Sequence, residues 1–156
     1  MKVTDILTEN FIIAELSSNQ KIEAINELLE LFRSDDRVLD FEKMKESVLE
    51  REKIMSTGVG KGFAIPHGKT SGVKEILAAF GKSTKPIEYD SLDGKPVQLL
   101  FLLIGRENMV SAHIKLLSRI SRMMNRDEFR QKLIDAKSSA EILDYFRQEE
   151  INYFDV

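Results

Sequence analysis

The chain has no cysteine, which removes disulfides, thiolate metal sites and a cysteine nucleophile in one step. This fits a cytoplasmic protein. It also lacks a surplus of positive charge: the net charge is -3 and the isoelectric point lies near 5.5, so no bulk attraction to nucleic acid is expected. Long hydrophobic runs are missing too. The longest, Leu99 to Ile104 with Val97 just before it, is far too short to span a bilayer. The opening MKVTDILTENF lacks the apolar core of a signal peptide, so no direct membrane insertion is expected. Histidine occurs only twice, at His67 and His113. With no H-E-x-x-H and no thiols, nothing in the spacing argues for a metal site.

No repeat, low-complexity tract or Pro/Gly/Ser linker divides the 156 residues, so one domain over 1–150 with a short tail, 151–156, is expected. At 42% hydrophobic and 31% charged the chain is too apolar to stay disordered. Ile22, Ile25, Leu28, Leu29 and Phe32 recur at helical spacing and predict an amphipathic helix over about Lys21 to Arg33. Asp40 can cap a second helix through about Arg51, with Phe41, Met44, Val48 and Leu49 on its buried side. Phe63 to Ile65 is strand-like, and Ile76 to Phe80 is a further apolar run before loops marked by Pro86, Asp93 and Gly94. Val97 to Ile104 is hydrophobic apart from Gln98, which suits a central strand covered on both faces. From Ser111 the pattern turns helical, with Ile114, Leu117, Ile120, Met123 and Met124 as core or packing residues. Ser138 and Glu141 make a capping box before a last helix through about Arg147. The expected fold is α/β, a mixed β-sheet sandwiched between helices on both faces. Two aromatics in the tail EEINYFDV can dock on the domain.

The stretch GVGKGFAIPHGKT, Gly58 to Thr70, looks like a phosphate loop but does not scan as one. Both the dinucleotide fingerprint and a Walker loop ending at Gly68-Lys69-Thr70 need glycine at position 63, where Phe63 stands. Proline and histidine in the window would also block the nest of amides. What remains is a single imidazole. Ile65, preceding a proline, is biased toward extended geometry. Pro66 has a fixed φ and no amide hydrogen. Gly68 allows a sharp turn and can expose its N–H to a ligand. His67 is thereby presented at a strand end on a stiff approach, and neutral imidazole is a competent nucleophile for a phosphoryl group. A turn histidine bonded to backbone is equally compatible with these residues.

The residues Arg51-Glu52, Ser56-Thr57-Gly58, Gly60, Gly62 and Ala64-Ile65-Pro66-His67-Gly68 resemble the active-site segment of enzyme IIA domains of the fructose/mannitol type. These belong to the bacterial phosphoenolpyruvate-dependent sugar phosphotransferase system. The likeness continues through Asp93-Gly94-Lys95-Pro96-Val97, the strand Leu99 to Ile104, and His113-Ile114-x-Leu116-Leu117. It covers about Lys21 to Arg147. After the central strand the family often has a proline-containing loop, whereas this chain reads Gly105-Arg106-Glu107-Asn108.

The resemblance implies a phosphoryl carrier. His67 would accept the group from the HPr-like phosphocarrier protein through Nε2 and pass it to a IIB component. In the nitrogen-regulatory branch the phosphorylation state would instead control binding to a regulatory target protein. Arg51 would stabilise the phosphoryl oxygens, since a guanidinium grips two at once; without the resemblance, a solvated arginine at a helix end is the favoured reading of this residue. His113, placed in a first helical turn if Ser111 is its N-cap, would donate to the phosphate and assist transfer, though from spacing alone an exposed first-turn histidine fits equally well. Ser56 and Thr57 would add a hydroxyl or fix the His67 tautomer, though a plain loop role fits them as well. No metal or cofactor is implied, because the group arrives activated. An apolar docking surface is expected around His67, drawing on Phe63 and the 105–112 loop.

Overall fold

The computed structural model describes residues 1–153. A short helix α1 (Val3–Ile6), a 3-10 turn (Glu9–Phe11) and strand β1 (Ile12–Ile13) lead into helices α2 (Lys21–Glu30) and α3 (Phe41–Ile54). Strands β2 (Gly58–Gly60), β3 (Phe63–Ala64), β4 (His67–Thr70), β5 (Leu77–Ile87) and β6 (Val97–Arg106) follow, then helices α4 (Val110–Met124), α5 (Asp127–Asp135) and α6 (Ser139–Tyr153). The sheet is mixed and runs β1-β5-β6-β3-β2, with β4 also paired to β6. β6 is antiparallel to β5 and parallel to β3 and β4. It is the central strand, as its unbroken apolar run requires.

Residues of β6 alternate between two cores. Leu99, Phe101 and Leu103 pack with Leu116, Ile120, Phe129 and Phe146 from α4, α5 and α6. Leu100, Leu102 and Ile104 pack with Ile25, Leu28, Met44 and Val48 from α2 and α3. Both faces of the sheet are therefore covered by helices. Phe146 meets Phe80, Phe101 and Phe129 edge-to-face at 5.3, 5.8 and 5.1 Å between ring centroids, a geometry favoured by the aromatic quadrupole.

Two of the expected capping side chains bond as the sequence implies. The Asp40 side chain accepts from the Lys43 N–H at 3.1 Å, and Ser138 Oγ accepts from Glu141 N–H. Glu141 reaches back to the N–H of Lys137 rather than of Ser138, so the box closes one residue early. The differences are local. α2 ends at Glu30 and Ile22 is exposed. Pro86 lies inside β5, at an irregularity between Lys82 and Ile87 where the ladder shifts register, which is where a strand tolerates a missing donor. Helix α6 continues past Arg147 to Tyr153. Tyr153 sits under the Arg126 guanidinium, 3.5 Å from the ring centroid, while Phe154 lies outside the described residues. No helix among the described residues is long and apolar enough to cross a membrane.

Candidate functional site

β3 and β4 are one strand interrupted. Both run parallel to β6, β3 opposite Leu99 and Leu100 and β4 opposite Leu103 to Arg106. Between them stand Ile65 and Pro66, and proline has no amide hydrogen for a ladder. The Pro66 carbonyl still accepts from Leu103 N–H at 3.1 Å. His67 is the first residue after the break. Its Nδ1 lies 2.7 Å from the Ile65 carbonyl oxygen. A carbonyl only accepts, so Nδ1 carries the proton and Nε2 keeps its lone pair. The histidine is thus both bonded to backbone and presented, which reconciles the two readings its neighbours allow.

His67 opens into a groove of about 450 Å³ bordered by α3, β4 and α4, where Arg51, Lys69, His113 and Ile114 also sit. β4 pairs with β6 alone, so the groove lies beyond a sheet edge. Burial chiefly holds the His67 pKa below its ordinary value. The Ile65 hydrogen bond opposes that shift, the Arg51 and Lys69 charges add to it, and Glu52 works against it. Near pH 7 the ring is therefore neutral.

The His113 ring stands 5.7 Å from that of His67, centroid to centroid, tilted by 51°. It is 2% exposed, and neither ring nitrogen has a hydrogen-bond partner among the described residues. Desolvation, then the His67 and Lys69 charges, lower its pKa to about 4, so it is neutral and carries one N–H. Its helix begins at Val110 after Met109, with no side-chain cap. Ser111 is thus inside the first turn and is not the N-cap, and the His113 N–H already bonds the Met109 carbonyl. The ring presents its Nδ1 edge to Gly105, where a Cβ would come within 2.5 Å of His113 Nδ1 and 3.3 Å of Cγ and Cε1. Gly105→Ala should therefore push the ring aside and cost about 1–3 kcal/mol through overpacking. Chemical denaturation measures this, and a stability unchanged from wild type would show that the ring has room to move.

Arg51 occupies the last turn of α3, and its Nη1 donates to the Met55 carbonyl at 2.8 Å, leaving other guanidinium donors for the groove. The two hydroxyls of Ser56 and Thr57 engage elsewhere. Ser56 Oγ donates to the Tyr89 carbonyl, and buried Thr57 donates through Oγ1 to Glu52. Neither touches His67, whose tautomer is set by Ile65. Gly68 makes no turn, since β4 runs straight through it. It is glycine because α3 crosses so closely that a Cβ would lie 2.6 Å from Ser47 Oγ and 2.9 Å from the Ser47 carbonyl carbon.

The apolar rim also differs from expectation. Phe63 is fully buried in the core. Ile114 is exposed rather than packed inside, and together with Ile54 and half-buried Leu117 it borders the groove. Lys69 was not singled out by the motif, yet strand periodicity places it two residues beyond His67 on the same face. Among the described residues no group of three or more His, Asp or Glu side chains is arranged to hold a metal ion.

Comparison with known proteins gives this site a family. Residues 5–149 match the family model described as "Phosphoenolpyruvate-dependent sugar phosphotransferase system, EIIA 2". The chain is 37% identical over 150 residues to a fructose-specific EIIABC component from Bacillus subtilis, covering 96% of this chain but only 24% of that much longer protein. It is 36% identical over 137 residues to a nitrogen regulatory protein from Bradyrhizobium diazoefficiens, covering 85% of this chain and 86% of the relative. The crystal structure of nitrogen regulatory protein IIA-Ntr from Neisseria meningitidis superposes with a TM-score of 0.86 at 31% identity, covering 92% of this chain and 98% of that one. With the match spanning nearly every residue that builds the groove, the chain belongs to the EIIA type 2 family of the phosphoenolpyruvate-dependent sugar phosphotransferase system.

Proposed function

We propose that this protein is a phosphoryl carrier that takes its cargo on Nε2 of His67. The observation that carries the reading is the Nδ1 contact to the Ile65 carbonyl, 2.7 Å, which fixes the nucleophilic tautomer before any donor arrives. In the transfer, the P–N bond to a donor imidazole breaks as the bond from phosphorus to His67 Nε2 forms. The Nδ1 proton stays in place, and the positive charge that develops on the ring is held against the Ile65 carbonyl. Such transfers pass through a loose, metaphosphate-like state, so alignment and stabilisation of the equatorial oxygens dominate. Arg51 supplies a forked donor, Lys69 a point charge, and neutral His113 a single N–H from the groove wall.

Donor and acceptor are an HPr-like phosphocarrier and a IIB component. The apolar rim of Ile54, Ile114 and Leu117 suits their brief docking, for which small contact areas suffice. All of these steps take place in the cytoplasm. The likeness to a fructose-specific component favours fructose-type sugar uptake. A regulatory role, in which partners sense whether His67 is loaded, is favoured by the match to nitrogen regulatory proteins over most of their length.

The test uses purified parts. Phosphoenolpyruvate, enzyme I and HPr should add one acid-labile phosphate to the protein, seen by intact mass spectrometry, and a fructose-type IIB domain should then remove it. No mass gain would end the carrier reading. A gain that no IIB discharges would leave the regulatory one.

A further inference from the structure

Arg51 and Glu52 are consecutive in the last turn of α3, so their side chains leave the helix about 100° apart. Arg51 reaches the groove, whereas Glu52 turns inward and its side chain is 2% exposed. There the carboxylate accepts from Thr57 N–H at 2.8 Å and Thr57 Oγ1 at 2.6 Å. The Tyr89 hydroxyl at 3.3 Å and the Lys21 ammonium at 3.1 Å complete its shell. These partners come from α2, from the connection after α3, and from the loop that precedes β6. A buried carboxylate is costly, and well-packed apolar side chains often serve stability as well as a buried ion pair does. The charge therefore calls for a reason other than stability.

The connection from Ile54 to Gly58 supplies one. It has three residues, and each is held by a hydrogen bond to Arg51, Glu52 or Tyr89. The Met55 carbonyl receives Arg51 Nη1. Ser56 Oγ donates to the Tyr89 carbonyl. Thr57 is held twice by Glu52. The contacts form a closed ring: Glu52 sets Thr57 and Tyr89, these set the path of the connection, and that path sets the carbonyl against which the guanidinium rests. We propose that Glu52 is a positioning residue for phosphoryl transfer, anchoring residues 55–57 so that the Met55 carbonyl aims Arg51 at the phosphoryl oxygens. The inference rests on the reading of His67 as phosphoryl acceptor. The Glu52 charge also opposes the effect of burial on the His67 ring, in line with a carboxylate that serves the site.

Phosphoramidate tests this without a protein donor. Its P–N bond breaks with loss of ammonia as the bond to Nε2 forms, so docking surfaces do not enter. Single-turnover rates would be measured for wild type, Glu52→Gln, Arg51→Ala and the double variant, with a thermal melt of each. Glu52→Gln keeps the shape but presents an amide to donors that need an acceptor. It should slow transfer roughly 10- to 100-fold, as expected for a small misplacement of a catalytic group. In the Arg51→Ala background the same change should cost less than about twofold, since residues acting through one another are non-additive.

A folded Glu52→Gln protein that transfers at the wild-type rate would overturn the proposal. So would a loss that persists in full once Arg51 is gone. If Glu52→Gln does not fold, Thr57→Val keeps the carboxylate and removes one anchor. About three- to tenfold slower transfer, again dependent on Arg51, is then expected by the same reasoning on misplacement, and an unchanged rate overturns the idea. Wild-type protein that gains no phosphate at His67 would overturn the carrier reading itself. A labelled wild type with an indifferent Glu52 overturns only this inference.

Discussion

His67→Ala protein, offered phospho-HPr, is expected to gain no acid-labile phosphate at all. Neither Lys69 nor His113 can substitute. Lys69 has no ring nitrogen held in a fixed tautomer as His67 has, and the His113 ring is 2% exposed with its Nδ1 edge against Gly105. The fold should survive, because the β4 ladder to β6 is made by backbone and the His67 side chain contributes one local hydrogen bond. An unchanged melting temperature beside a complete loss of label is the expected pair of results, and label that persists would move the site elsewhere. The wild-type rate of acceptance should also depend on pH. Since burial holds the His67 pKa below its ordinary value of about 6.5, the neutral ring dominates above that value and the rate is flat there. It falls only as the pH drops through the lowered pKa, by about tenfold per unit beyond it. A rate already halved at pH 7 would contradict the buried, neutral ring.

Arg51→Ala should retain His67 and its tautomer yet accept phosphate roughly 10²- to 10³-fold more slowly, the usual cost of removing one preorganised donor from a developing oxyanion. Arg51→Lys should recover only part of the loss. A lysine brings the charge without the fork that holds Met55 and a phosphoryl oxygen together. Single-turnover acceptance from phosphoramidate measures both variants. An Arg51→Ala protein within twofold of wild type would remove the guanidinium from the chemistry.

How much of this was legible beforehand varies with the element. β6 announced itself because a strand buried on two faces must be apolar at every position, and Val97 to Ile104 nearly is. Asp40 was legible because an N-cap is a local bargain between one side chain and one turn. β4 was not. His67, Gly68, Lys69 and Thr70 have no strand-like alternation of apolar residues, and they are extended because β6 offers a parallel ladder, a partner some 35 residues away. The same distance effect explains Ile114, whose helical spacing matches the core but whose side chain faces the groove.

At the site itself, the Ile-Pro-His triplet pointed to a stiffly held imidazole, and the structure places that imidazole in an open groove. It gave no hint that Ser56 and Thr57 turn their hydroxyls away. A sequence shows which donors are present, whereas acceptors such as the Tyr89 carbonyl are backbone and common to every residue. Glu52 had a visible signal, adjacency to Arg51 in the matched segment, but its partners Lys21, Thr57 and Tyr89 are scattered along the chain. Only folding gathers them.

The break at Ile65 and Pro66 leaves His67 pinned on both sides, by its own ring to Ile65 and by the strand that resumes at its backbone. A group taken up on this ring would have nowhere to swing. Loaded and empty forms would share one shape, and a visiting protein would tell them apart by the electrostatic imprint of a dianion set beside Arg51 and Lys69. Recognition would then weaken steeply as ionic strength rises, whereas capture of the group by the imidazole would hardly notice.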